Sequence, residues 1–363
     1  MDIFKTLQTL TETAGPSGME GAIAGAVRVI WEPYVDEIEV DHMGNLLAVK
    51  RAQAPDAASE PPRLLIAAHM DEIALMVADI DAYPDDEQGQ GFLRLTNVGG
   101  VDIRHLYGQP VTVHGRRELR GIVGALPPHM LPSDRQKKCY DYDELLVDVG
   151  LPLNELRQAV SVGDFISFHQ PLRKLLNERA AGKALDNRAS VAAVAVALEH
   201  LGDRLHEWDV VAVATTQEET RLLGAFTAAY AQRPDAAIAV DVTFGKGPGA
   251  REAGAFELDK GPALGLGPNV HPGLYKRLKE AADALEMTVH TDPHTRASGT
   301  DAFGLQIARD GVPTGLVGIP LRYMHTMVET LALSDIERVG RLLGEFSATL
   351  DAGFLDDVAA ELM

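Results

Sequence analysis

Short unbroken apolar runs alternate along the chain with stretches of helical spacing. "LLIAA" (64–68), "VVAVAT" (210–215), "AAIAV" (236–240) and "GLVGIPL" (315–321) have the texture of strands covered on both faces. "NRASVAAVAVALEHL" (187–201), "GLYKRLKEAADALE" (273–286) and "DAFGLQIARD" (301–310) read as helices between them. This alternation predicts an α/β layer architecture, a mainly parallel core sheet flanked by helices. Nearer the start, "EIEVDHMGNLLAVK" (37–50) reads as a hairpin turning at "MGN". The Ala/Pro-rich "RAQAPDAASEPPR" (51–63) reads as a solvated connector. From about residue 78 the texture changes. "FLRLTNVGGVDIRHLYGQPVTVHGRRELRGIVGAL" (92–126), "ELLVDVG" and "GDFISFHQPL" are short alternating strands with glycine turns, as in a small barrel or sandwich. The expected organisation is a discontinuous α/β domain, residues 1–77 and 169–363, interrupted by a β-rich insert, residues 78–168.

Composition narrows the function classes. The 363 residues are 46% apolar, enough for a sizeable core. A formal net charge of −20 sets the chain against nucleic acid or an anionic membrane as general partners. The single cysteine, Cys139, excludes a disulfide within the chain and fits a reducing compartment. The opening "MDIFKTLQTLTETAG" has no basic n-region, and no apolar run approaches the roughly 18 residues of a spanning helix. A cytoplasmic protein is expected.

Candidate chemistry gathers at the strand ends. His69 and Asp71 follow "LLIAA", Glu218 and Glu219 follow "VVAVATT", Asp241 ends "AAIAV", His325 comes shortly after "GLVGIPL", and Asp186 opens a helix. In open α/β sheets, ligands bind beyond the carboxyl ends of the strands. Two histidines with several carboxylates form an N/O donor set suited to Zn²⁺, Co²⁺ or Mn²⁺. Ionised Asp186, Glu219 and Asp241 would leave a two-metal site with net positive charge, able to stabilise a bridging hydroxide near neutral pH. Glu218, beside a ligand, is then the natural general base.

At this point the residues resemble a known family, the M42 dinuclear metallo-aminopeptidases, which include the tetrahedral and glutamyl aminopeptidases. The resemblance runs nearly end to end, through "PSGME", "DHMGNLLAV", "AAHMDEIALMV", "GIVGALPPHML", "KALDNRAS", "TTQEE", "AVDVT", "SGTDA" and "GIPLRYMHTMVE". It implies an aminopeptidase domain whose β-rich insert mediates dimerisation, with short peptides as substrates. It also implies two divalent ions per subunit, Zn²⁺ or Co²⁺ before Mn²⁺. By resemblance, His69 and Asp241 hold one metal, Glu219 and His325 the other, and Asp186 bridges both. Glu218 is then the base, and Asp71 orients the His69 imidazole. Homodimers assembling into a tetrahedral dodecamer follow, with "VGGVDIRHLYGQPVTV" offering strand edges or apolar surface to a twin.

The chain departs from the family pattern at Thr220 and Arg221, where Val-Gly is usual, and at Ala74 and Ser190, where Gly is usual. None of these departures removes a ligand, but they leave the family's substrate preference open for this chain. Arg221, Ser298, Gly299, Thr300 and Arg322 are candidates for the substrate pocket, with Lys260 a further cation. "SGTDAF" (298–303) reads as a helix N-cap and a pocket wall together. His105, His114, His271, His290 and His294 read as ordinary loop or surface residues, while His129 in "PPHML" is placed to approach a neighbour's site in an oligomer. "GKGPGAREAG" lacks the Lys-Ser/Thr of a phosphate loop. Two other functions compete. A glycoside hydrolase needs a free carboxyl pair across a sugar, whereas these acids are committed to metal and the chain has only two Trp for stacking. A non-catalytic scaffold with a relic site is opposed by the intact ligand set.

Overall fold

The computed structural model describes residues 1–54, 58–83, 89–250 and 254–361. The hairpin β1 (Glu37–Val40) and β2 (Leu46–Lys50) forms as expected, and β3 (Arg63–His69) follows the connector. Of that connector, residues 55–57 lie outside the described part. The chain then enters β4 (Ala74–Tyr83), β5 (Gln90–Val98), β6 (Pro110–His114), β7 (Glu118–Gly124), β8 (Leu146–Asp148) and β9 (Phe165–Phe168). It continues through β10 (Arg173–Leu175), β11 (Arg179–Gly182), β12 (Asp209–Thr215), β13 (Ala236–Phe244), β14 (Ala263–Leu266), β15 (His290–Pro293), β16 (Thr314–Leu321) and β17 (Glu329–Ala332).

The main sheet has eight strands in the order β1-β2-β12-β3-β13-β16-β14-β15. Its centre, β12-β3-β13-β16, is parallel, while β2 and β14 pair antiparallel at either side. These central strands are apolar on both faces because helices cover both. On one face lies the Ala-rich helix Leu185–Leu201, buried almost throughout between the sheet and the helix Leu333–Ala348. On the other lie the helices Leu223–Gln232 and Asp301–Gln306. β10, β11 and β17 make a separate three-stranded sheet.

The β-rich segment is a closed barrel, β4-β5-β8-β7-β6-β9, with its own apolar core around Leu75, Val77, Leu95, Val113, Val147 and Ile166. β6, which lies in the stretch read as offering an edge, is paired on both sides, with β7 and with β9. What the barrel does expose is apolar side chains, among them Tyr107, Ile122, Leu126 and Met130. Its first strand begins at Ala74, ahead of the textural change at 78. Leu75 and Val77 face the barrel's core, so the apolar stretch after Glu72 already belongs to the barrel.

Candidate metal and catalytic site

Parallel register brings the strand ends that carry His69 and Asp241 level. Thr215 of β12 pairs with His69 of β3, and Ala239 of β13 with Ala67, which puts Asp241 two residues further toward the same edge. Asp186 departs from helical geometry at the start of its helix, with ψ near 104°, which frees its carboxylate to face the strand ends. Gln217 takes a left-handed conformation (φ 53°) and ends the extended run, so Glu218 and Glu219 open a short helix, Glu218–Arg221. Side chains one residue apart on a helix diverge by about 100°. That divergence, rather than the alternation of a strand, sends the two glutamates to different partners.

Asp186 sits between two imidazoles. Its Oδ1 lies 3.2 Å from His69 Nε2 and its Oδ2 lies 3.4 Å from His325 Nε2. Glu219 approaches His325 Nε2 at 3.6 Å, while Glu218 and Asp241 approach His69 Nε2 at 3.7 and 3.8 Å. The donor atoms of His69, Asp186 and Glu219, and of His69, Glu218 and Asp241, all lie within 4.8 Å of one another. The outer nitrogen of each ring faces an oxygen. His325 Nδ1 donates to the Gly100 carbonyl at 3.1 Å, and His69 Nδ1 lies 3.4 Å from Asp71. This leaves both Nε2 atoms facing the acids. Asp71, fully buried, also accepts from the backbone N–H groups of Glu218 and Glu219 at 3.1 and 3.2 Å.

This donor set fits divalent metal. Two ligand atoms on one tetrahedral ion are separated by about 3.3 Å, close to the spacings seen here. The charge balance points the same way. Burial, with Asp241, Asp301 and Asp71 nearby, pushes Glu218 up to about 9 against the opposing pull of His69. Burial and the charge of Asp186 push Asp241 up to about 8. Burial and Asp186 also raise Glu219 well above its ordinary range. Burial lowers His69, but Glu218, Asp186, Asp71 and Asp241 together raise it well above its usual value. His325 is raised, chiefly by its bond to Asp186. Buried acids that resist ionising beside only two imidazoles form a site short of positive charge.

The site opens into a cleft of about 800 Å³. Arg221, Ser298, Gly299 and Thr300 line it. Thr300 also caps the helix Asp301–Gln306, so "SGTDAF" is cap and wall at once. Arg322 does not line the cleft, because its guanidinium turns away to the Lys246 carbonyl, and Lys260 is not on the wall either. Among the wall residues that escaped the sequence reading are His294, Asp292 and Arg296. His294, read as an ordinary loop residue, lies there 3.5 Å from Asp292, which accepts from Thr243, and Arg296 stands beside them. Nothing in their spacing marks them, since β15 and its loop reach the site only through the antiparallel pairing of β14 with β16. His129 is exposed on the barrel. Ala74 and Ser190 are fully buried.

The M42 glutamyl aminopeptidase family model matches residues 44–342. A lysyl aminopeptidase of Pyrococcus furiosus is 35% identical over 344 residues, covering 93% of this chain and 95% of that one. The solved TET aminopeptidase of a marine sediment archaeon, Thaumarchaeota archaeon SCGC AB-539-E09, superposes with a TM-score of 0.88 at 29% identity, covering 98% of each chain. The TET1 peptidase of Pyrococcus horikoshii, described as assembling into a tetrahedron or a large octahedral shell, matches at 29% identity and a TM-score of 0.82, over 96% of this chain and all of that one. Fold and site thus define a metal-dependent aminopeptidase. The chain belongs to the M42 family.

Proposed function

We propose that this chain removes N-terminal residues from short peptides at a centre for two divalent metal ions, with Glu218 as general base. The observation that carries this reading is Asp186, whose two carboxylate oxygens each face a different imidazole. His69 and Asp241 would hold one ion, His325 and Glu219 the other, and Asp186 both. The N/O set suits Zn²⁺ or Co²⁺, with Mn²⁺ also accommodated. Bound ions supply Lewis acidity toward a peptide carbonyl and lower the pKa of water. Asp71 fixes the direction of His69 and the backbone of both glutamates. Glu218 takes a proton from the attacking water and returns it to the leaving amine. The cleft volume falls in the range of small-ligand sites, which suits a peptide end, with Arg221, Arg296 and the Ser298–Thr300 wall against the first side chain. The barrel is the proposed dimerisation domain, its exposed apolar residues facing a twin, and a tetrahedral dodecamer is the assembly favoured by the likeness to the TET1 peptidase.

The test is a panel of aminoacyl chromogenic substrates, run after chelation and after restoring Zn²⁺, Co²⁺ or Mn²⁺. Hydrolysis is expected to vanish with the metal and return with it. Activity that survives chelation points instead to carboxylate-pair chemistry, and absence of any divalent uptake to a relic site. The Glu218→Gln variant is expected to keep its metals while kcat falls by about 10²–10⁴-fold. A Gln variant near full activity removes Glu218 from the role.

A further inference from the structure

Two buried carboxylates, neither of them a metal ligand in the reading above, tie together the segments that carry the ligands. Asp71 joins His69 to the backbone of Glu218 and Glu219. The other half of the site is joined by Glu329. Its Oε2 accepts from the Asp186 backbone N–H at 3.0 Å and its Oε1 accepts from the His325 backbone N–H at 2.9 Å. Glu329 is 2% exposed and opens β17, where it pairs with Gly182 of β11, shortly before Asp186. The Arg322–Thr330 bridge closes the loop between β16 and β17 that carries His325. Within that loop both Tyr323 and His325 have φ near +62°, a conformation that a side chain disfavours and that the surroundings must hold.

We propose that Glu329 is a positioning residue that sets the spacing between Asp186 and His325, and so decides whether the half of the site formed by His325, Glu219 and Asp186 retains its ion. It acts through backbone only, since neither oxygen is directed at substrate. Both oxygens are engaged, one with the segment of Asp186 and one with that of His325. Glutamine at 329 would keep the volume but present an N–H₂ to one of the two backbone N–H groups, donor against donor. Aspartate would keep both acceptors but fall one methylene short of spanning the two amides.

The inference rests on the two-metal reading, and the experiment separates the two. Chelator-stripped protein is titrated with Co²⁺ by equilibrium dialysis, with visible absorption followed in parallel. Wild type is expected to take up two equivalents. Glu329→Gln is expected to bind one of them about 10–100-fold more weakly, with a changed Co²⁺ spectrum for that equivalent and the other retained. Glu329→Asp is expected to weaken the same equivalent. A merely structural role predicts instead a lower melting temperature with both affinities and the Co²⁺ spectrum unchanged. A Gln variant with two wild-type affinities and an unchanged spectrum overturns the proposal. Should the variants not fold, amide hydrogen exchange of the stripped wild type decides. Protection at both Asp186 and His325 is expected, and fast exchange at both overturns it. Wild type that binds fewer than two equivalents removes the two-metal reading and this inference with it.

Discussion

Acids and imidazoles crowd the cleft, and without cations the acids work against one another. Glu218 and Asp241 sit at about 9 and about 8 in the folded chain, driven up first by burial and then by neighbouring acids. The folded, metal-free protein therefore holds more protons than the unfolded chain, and its stability must fall as pH rises. The contribution of these groups is complete below the ordinary carboxylate range, about pH 4, and is lost as pH rises through about 8 to 9. His69 and His325, both raised, act in the same direction. Asp186, held low between them despite its burial, acts only in acid, where its contribution is lost as pH falls. The expected outcome is a metal-stripped melting temperature that drops between about pH 5 and pH 9, with a flatter profile once metal is loaded. Thermal unfolding in a buffer series measures it, and a stripped protein whose melting temperature holds or rises over that range contradicts it. The acids and imidazoles that gather in the cleft were legible because chemistry confined to strand ends leaves a pattern. Glu329 left none. Its partners are backbone amides, one of them 143 residues away, and a bond to a backbone N–H carries no signature in the partner's side chain.

Among the elements, the parallel core was readable because strands buried on both faces lose the alternation of half-exposed ones. The short helix Glu218–Arg221 was not readable, since it depends on left-handed turns at Gln217 and Leu222 on either side of it. Its anchor is a close approach. A Cβ on Gly224 would lie 2.4 Å from Asn45 Oδ1 and 2.5 Å from the backbone N and O of Thr216. Asn45 meanwhile accepts from Thr216 N–H and donates to the Gly224 carbonyl, clamping the end of β12 to the next helix. Gly224→Ala is expected to destabilise by about 1–3 kcal/mol, because backbone rather than a flexible side chain must yield. It is also expected to weaken metal binding by shifting Glu219. Chemical denaturation of the stripped protein reads the first effect and chelator competition the second. An unchanged midpoint would show that the clamp has slack.

At the scale of the whole molecule, the barrel was legible as a change of texture, while the start of its first strand at Ala74 was hidden among apolar residues. The net charge of −20 opposes self-association, so assembly has to be won by apolar contact, and the barrel is where Tyr107, Ile122, Leu126 and Met130 stand exposed. Light scattering at moderate salt is expected to report a large homo-oligomer, and Ile122→Glu with Met130→Glu is expected to lower the mass. A wild-type mass of one chain would refute the assembly.

The barrel's place in the chain has one more consequence. β4 begins at Ala74, just after Asp71, and the Gly100 carbonyl beyond β5 receives the His325 Nδ1–H. There is no room for a bulkier residue there, since a Cβ on Gly100 would meet the ring at 2.7 Å. The barrel is thus not an interchangeable module. Excising the barrel and splicing the flanks would spare every acid and imidazole of the cleft and still leave the His325 ring free to choose its tautomer.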